Sequence, residues 1–173
     1  MKLNIGSGRH AGLAGYTSVD LARSPHASCD PDIIANALSI PLPDGCAEEV
    51  MAIHLFEHLR VWEAPLALAE WHRLLQPGGL LVLEMPDIKK CCKNLVKLVD
   101  TEDLKSIDSL AMHGIYGDPS DKDPLMGHAW GWTPKTLKGV LKKAGFGRFV
   151  DAETRWHPIG RRLRDFRVEA RKL

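Results

Sequence analysis

Short apolar runs that end in turn residues alternate along this chain with stretches of helical spacing, and this alternation leaves few architectures open. The strand-length runs are Lys2 to Ile5, Tyr16 to Asp20, Asp32 to Ala35, Val50 to His54 and Leu80 to Met85. The segment Leu80-Leu81-Val82-Leu83 has no polar alternation, which predicts a strand near the centre of a parallel sheet with helices on both faces. Between the last two runs, Leu68, Trp71, Leu74 and Leu75 recur at helical spacing from Trp62 to Leu75, and Gln76-Pro77-Gly78-Gly79 stops that helix. Strands linked by such crossovers predict an α/β fold.

Beyond Pro86 the pattern changes. Ile88 to Val99 and Glu102 to Met112 read as helices, followed by a Gly-, Asp- and Pro-rich stretch from Gly114 to Gly131. Residues 89–131 are therefore expected to form an inserted lid that shapes a binding site. Thr133 is the expected N-cap of a last helix, with Pro134 at its first position, an apolar stripe of Leu137, Val140 and Leu141, and Gly145 at its end. Phe149 to Thr154 and Phe166 to Ala170 alternate as strands and can pair as an antiparallel edge.

Composition narrows the function. An apolar fraction of 45% with 26% charged residues is that of an ordinary soluble domain, and 173 residues suit one domain, 1–173, rather than two. The net charge of +1 argues against a nucleic-acid partner, because phosphate binding needs an excess of cations. No signal-peptide core follows Met1 and no membrane-spanning run exists, so a cytoplasmic protein is expected. Cys29, Cys46, Cys91 and Cys92 form no C-x-x-C pair and are expected to be free thiols.

Four segments carry a resemblance when taken in order: Leu3-Asn4-Ile5-Gly6-Ser7-Gly8, Val19-Asp20, Ala35-Asn36-Ala37-Leu38-Ser39-Ile40-Pro41 and Leu74-Leu75-Gln76-Pro77-Gly78-Gly79. Together with Glu57-His58-Leu59, Trp132-Thr133-Pro134 and Gly145-Phe146, they make the chain resemble the class I S-adenosylmethionine-dependent methyltransferases over nearly its whole length. The resemblance implies a doubly wound, mostly parallel, seven-stranded Rossmann-like sheet with an antiparallel edge strand and the insertion after the fifth strand. It also implies S-adenosylmethionine as cofactor and S-adenosylhomocysteine as product. Glu70-Trp71-His72-Arg73-Leu74-Leu75, Tyr116-Gly117-Asp118-Pro119 and Arg164-Asp165-Phe166-Arg167 further resemble short methyltransferases associated with polysaccharide and glycosyltransferase clusters, which suggests a sugar hydroxyl as acceptor.

The chemistry of the residues agrees with these roles. Gly6 and Gly8 let the backbone turn sharply and lie against a ligand, with Ser7 between them. Asp20 can accept both hydroxyls of a ribose, Asn36 can meet the adenine amino group, and Leu21, Ala37 and Leu38 can wall the base. His54 ends a strand at the same crevice. His58 is the expected base for a hydroxyl acceptor and Glu57 its orienting partner. Tyr116, His128 and Trp130 of the lid, with Arg161 of a basic cluster that also includes Arg162, Arg164 and Arg167, are the expected contacts to a small-molecule or saccharide acceptor. That cluster reads equally as a solvated strand edge whose charge discourages aggregation.

His54-Leu55-Phe56-Glu57-His58 also fits the H-x-x-E-H pattern of zinc peptidases, but that chemistry needs His54 on a helix whereas a strand feeds it, so no metal site is expected, with a divalent metal held by these groups and the substrate, as some methyltransferases use, as the lesser alternative. The first crossover, between Gly8 and Asp20, is too short for a full helix, so no helix dipole is expected behind the glycines. That shortness favours one rival, a module that binds S-adenosylmethionine without turnover. A nicotinamide-dependent oxidoreductase is a second, though Ala11 stands where the third glycine of its fingerprint belongs. A homodimer is compatible with all three.

Overall fold

The computed structural model describes residues 1–22, 24–25, 27–99, 110–118, 122–156 and 164–173. Strands β1 (Lys2–Ile5), β2 (Thr17–Asp20), β3 (Ile33–Ile34), β4 (Ala47–Ile53), β5 (Leu75–Pro86), β6 (Phe146–Ala152) and β7 (Asp165–Lys172) form one sheet. Their order is β3-β2-β1-β4-β5-β7-β6. The first five are parallel, whereas β7 runs antiparallel between β5 and β6, so the antiparallel pair makes the edge. Helix α1 (Ala64–Leu74) joins β4 to β5, while α2 (Ile88–Val99), α3 (Leu110–Tyr116) and α4 (Pro134–Lys143) lie between β5 and β6. This is a Rossmann-like α/β fold. Chain order reverses between β1 and β4, which opens a crevice at the carboxyl ends of these strands, where ligands bind in such sheets.

Register explains the core. Leu3 pairs with Val50, Val50 with Leu81 and Leu81 with Ala170, so these side chains share one face. With Ile5, Val19, Leu83 and Val168 they pack as one buried cluster on Leu68, Trp71 and Leu74 of α1 and Leu137 and Leu141 of α4. Each such large side chain contributes about 1.5 to 3 kcal/mol by leaving water. Helix α4 begins as its sequence predicts, with Pro134 in the first turn and a reciprocal capping box between Thr133 and Thr136. Lys172 closes the far end of α1 by donating to the carbonyls of His72 and Leu75, each at 2.7 Å.

The opposite face of the sheet differs from expectation. Its side chains include Lys2, Asn4, Ser18, Glu49, Met51, Val82, Glu84 and Arg167, a mostly polar set. The sequence predicts helices on both sides of β5; among the described residues α1 and α4 pack on the face that carries Leu81 and Leu83. The reason lies in the connections: β1 passes to β2 through a 3-10 turn, Gly8–His10, and the links from β2 to β3 and from β3 to β4 have no helix among the described residues. The chain after β6 serves as partial cover. There the backbone N–H groups of Arg155 and Trp156 donate to the fully buried Glu84 at 3.1 and 3.3 Å, Arg167 lies 3.7 Å from the same carboxylate, and the Trp156 ring meets His10 edge-on.

In the insertion, α2 matches its expected bounds, and Gly114 proves to be helical, inside α3. Of the helix expected from Glu102 to Met112, residues 102–109 lie outside the described residues. No described helix is long and apolar enough to cross a membrane, and the four cysteines are free.

Candidate active site

The crevice is built first by the turn after β1. Gly6 and Gly8 take positive φ angles of 67° and 49°, a region that costs a residue with a side chain about 1 to 2 kcal/mol. The turn is tied to the end of β2: Gly6 N–H donates to the Val19 carbonyl at 2.8 Å, and Gly8 N–H to Asp20 Oδ2 at 2.7 Å. Asp20 Oδ1 accepts from Leu21 N–H at 2.8 Å. An ionised carboxylate has about four acceptor positions, so two remain for hydroxyls of a ligand. A Cβ on Gly8 would meet nothing within 4 Å, and the buried hydroxyl of Ser7 has no hydrogen-bond partner among the described residues. Open space beside a bare glycine, an unpaired buried hydroxyl and a carboxylate with spare lone pairs together fit the amino acid and ribose portions of S-adenosylmethionine.

The adenine side comes from the link after β3. Asn36 is exposed, and its Oδ1 accepts from Leu38 N–H at 2.9 Å, which leaves one lone pair and the amide NH2 for a base edge. Trp71 of α1 holds this link by donating to the Ala37 carbonyl at 2.9 Å. Leu21 is 53% exposed, as an apolar wall awaiting a ligand would be, whereas Ala37 and Leu38 lean on the core.

The turn after β4 is the most charged part of the site. His54 ends the strand with φ at 51° and sits between two carboxylates, with Nδ1 2.8 Å from Glu57 Oε1 and Nε2 3.3 Å from Asp165 Oδ2. Burial alone would lower its pKa, but the Glu57 charge and the hydrogen bonds to Asp165 and Glu57 outweigh that and lift it to about 9. Glu57 is likewise penalised by burial and nonetheless held down to about 2, chiefly by His54 and then by His58 and His128. His54 therefore supports Glu57 as an imidazolium. Both of its ring nitrogens face protein carboxylates. The H-x-x-E-H pattern forms no helix face, since His54 ends a strand and a turn follows.

His58 is also placed differently from expectation. Its Nδ1 lies 3.2 Å from the Gly127 carbonyl, so that backbone oxygen fixes the ring, and the hydrogen bond of Glu57 goes to His54. The segment ahead of α4 docks here: Ala129 and Trp130 N–H both donate to the Glu57 carbonyl, at 2.8 and 3.1 Å. His128 Nδ1 lies 3.1 Å from the Gly114 carbonyl, Nε2 is 3.9 Å from Glu57 Oε1, and the ring meets that of His58 edge-on at 4.9 Å. Burial lowers the pKa of His128. Leu55 joins the two halves of the site, because a Cβ on Gly6 would lie 2.8 Å from its side chain.

Of the other expected acceptor contacts, Tyr116 and Trp130 are exposed at 66% and 47%, and Arg161 lies outside the described residues. Trp132 fills the core against Phe56. Arg164 and Arg167 are buried and paired, the first with Asp165 at 2.8 Å and the second with Glu84 and Glu169, so neither is open to a phosphate or forms a solvated edge. Asp165 is the site residue that sequence reasoning missed. Its only signal is position: it starts an antiparallel strand opposite Pro86, which brings it to the carboxyl ends of the parallel ones.

Comparison with known proteins agrees with the fold. Residues 3–83 match the family model described as a methyltransferase domain. An S-adenosylmethionine-dependent methyltransferase structure from Archaeoglobus fulgidus superposes with a TM-score of 0.64 at 17% identity, covering 99% of this chain and 85% of that one. A counterpart from Methanosarcina mazei gives 0.60 at 22% identity, with 99% and 92% covered. The Burkholderia thailandensis 1,6-didemethyltoxoflavin-N1-methyltransferase, with bound 1,6-didemethyltoxoflavin and S-adenosylhomocysteine, gives 0.60 at 15% identity, with 99% and 70% covered. These likenesses establish the fold. No curated protein sequence matches the chain.

Proposed function

We propose that this chain is an S-adenosylmethionine-dependent methyltransferase that acts on a hydroxyl of a small molecule, with a sugar as the favoured class. The observation that carries this reading is the joining of the Gly6-Ser7-Gly8 turn to the Asp20 carboxylate at the β1/β4 crevice, within a segment that matches a methyltransferase domain. The cofactor supplies a methyl group on a sulfonium, already activated for displacement. The protein's share is to bind, align and exclude water.

Asp20 holds the ribose hydroxyls, the Gly8 turn lies along the amino acid portion with Ser7 beside it, and Leu21, Ala37, Leu38 and Asn36 line the adenine. His54 keeps Glu57 ionised and in place. His58, with its Nδ1 proton committed to Gly127, presents an Nε2 lone pair to the acceptor proton. Tyr116, His128 and Trp130 supply the acceptor wall. The Burkholderia neighbour, which holds a small molecule and S-adenosylhomocysteine together in this fold, supports an acceptor of modest size. The likeness to methyltransferases of polysaccharide clusters favours a saccharide.

Incubation of the full chain with methyl-labelled S-adenosylmethionine and a panel of nucleotide sugars and glycans tests the reading. Label should pass to a hydroxyl of at least one acceptor, and His58→Ala should slow that passage by about a hundredfold or more without changing cofactor affinity. Cofactor binding with no transfer to any acceptor would instead identify a binding module, the rival favoured by the helix-free first crossover.

A further inference from the structure

We propose that Glu57, His58 and His128 form a binding site for one divalent transition cation, of the zinc, cobalt or manganese kind. One nitrogen from each imidazole and one carboxylate oxygen lie within 4.8 Å of one another. A cation with bonds of about 2.1 Å spans ligand atoms roughly 3 to 4 Å apart, so small side-chain rotations close the set.

The supporting contacts leave a donor atom available on each of the three groups. A backbone carbonyl only accepts, so the contacts of His58 Nδ1 with Gly127 and of His128 Nδ1 with Gly114 place both ring protons on Nδ1. Each Nε2 is then left with a bare lone pair, the arrangement seen when a metal-binding histidine is anchored from behind. Glu57 Oε1 takes the proton of His54 Nδ1. The other oxygen, Oε2, is buried and has no hydrogen-bond partner among the described residues, on a side chain only 3% exposed. An ionised oxygen left bare in that setting costs several kcal/mol unless something fills the place. Two lone-pair nitrogens and one such oxygen are a donor set for borderline transition cations, not for magnesium or calcium, and three protein ligands leave positions open.

The site also joins separate elements. Glu57 and His58 follow β4, and His128 belongs to the lid, so the cation pins the lid to the strand end. Its role in catalysis rests on the methyltransferase reading, although its binding does not. A bound cation polarises the acceptor hydroxyl, whose proton leaves to water. The oxygen then forms its bond to the methyl carbon as the carbon–sulfur bond breaks and the electron pair returns to sulfur. His58 thus becomes a ligand instead of a free base.

Chelator-treated full-length protein should bind one equivalent of Co2+ with visible d–d absorption, and Zn2+ should displace it. His128→Ala should weaken binding on the order of a hundredfold, as loss of a ligand costs at least what loss of its supporting contact does. Glu57→Gln should weaken it too, and Cys29→Ser with Cys92→Ser should leave it unchanged. No saturable binding, or equal binding by the His128 variant, would overturn the proposal and return His58 to the role of free base. Calorimetry with S-adenosylhomocysteine on the same samples separates the two readings: cofactor binding without Co2+ binding rejects the cation alone, and the reverse rejects the methyltransferase.

Discussion

Asp20 uses one carboxylate for two tasks, holding the Gly8 turn with one oxygen while both oxygens keep a lone pair for a ribose. Asp20→Ala should weaken S-adenosylmethionine binding by about 1.5 to 3 kcal/mol in calorimetry, the range for hydrogen bonds to a charged group. Unchanged affinity would refute the assignment. His54 is a different kind of residue, buried between two carboxylates that it neutralises. His54→Ala takes the hydrogen-bonded partner from the buried Glu57, while Asp165 keeps Arg164, and should cost about 3 to 5 kcal/mol in urea denaturation. A midpoint equal to that of the parent protein would show that the ion pairs contribute nothing. Sequence reasoning reached His54, Glu57 and His58 but misassigned their partners, because spacing along a turn does not say which side chains face each other. Asp165, distant in sequence, adds to what Glu57 does for His54, and only strand pairing reveals it.

At the scale of elements, the turn after β1 and the turn after β4 constrain each other. Gly6→Ala would place a methyl group against Leu55 as well as strain φ, so it should destabilise the fold by about 1 to 3 kcal/mol. Gly8→Ala meets only the backbone strain of about 1 to 2 kcal/mol, its Cβ pointing into open space. Thermal melts should therefore rank Gly6→Ala at or below Gly8→Ala, while S-adenosylmethionine affinity should fall in both; a Gly8 variant of parental affinity would place the ligand elsewhere. Helices α2 and α4 were legible because their apolar spacing and caps are local signals, as Thr133 with Pro134 illustrates. The continuous apolar run of β5 misled. Val82 is buried as an inner-strand residue should be, yet Glu84 two positions on shows that, among the described residues, its face is closed by polar groups and connecting chain.

For the whole molecule, the strand order creates a crevice, and among the described residues the short connections β1–β2, β2–β3 and β3–β4 supply no α-helix to the sheet. The strand order is known from the structure, whereas the kind of sheet was legible in the sequence, because apolar runs alternate with helical spacing and the two last runs alternate as an edge pair. The polar second face was not, since the alternation Lys2-Leu3-Asn4-Ile5 is too short to separate a half-covered strand from an edge. Everything functional depends on that crevice taking an adenosine ligand. The most direct measurement is a calorimetric titration of the protein with S-adenosylhomocysteine beside NADH. One saturable equivalent of S-adenosylhomocysteine, weakened in Asp20→Ala, with no heat from NADH is the predicted result; binding of NADH alone would contradict the account.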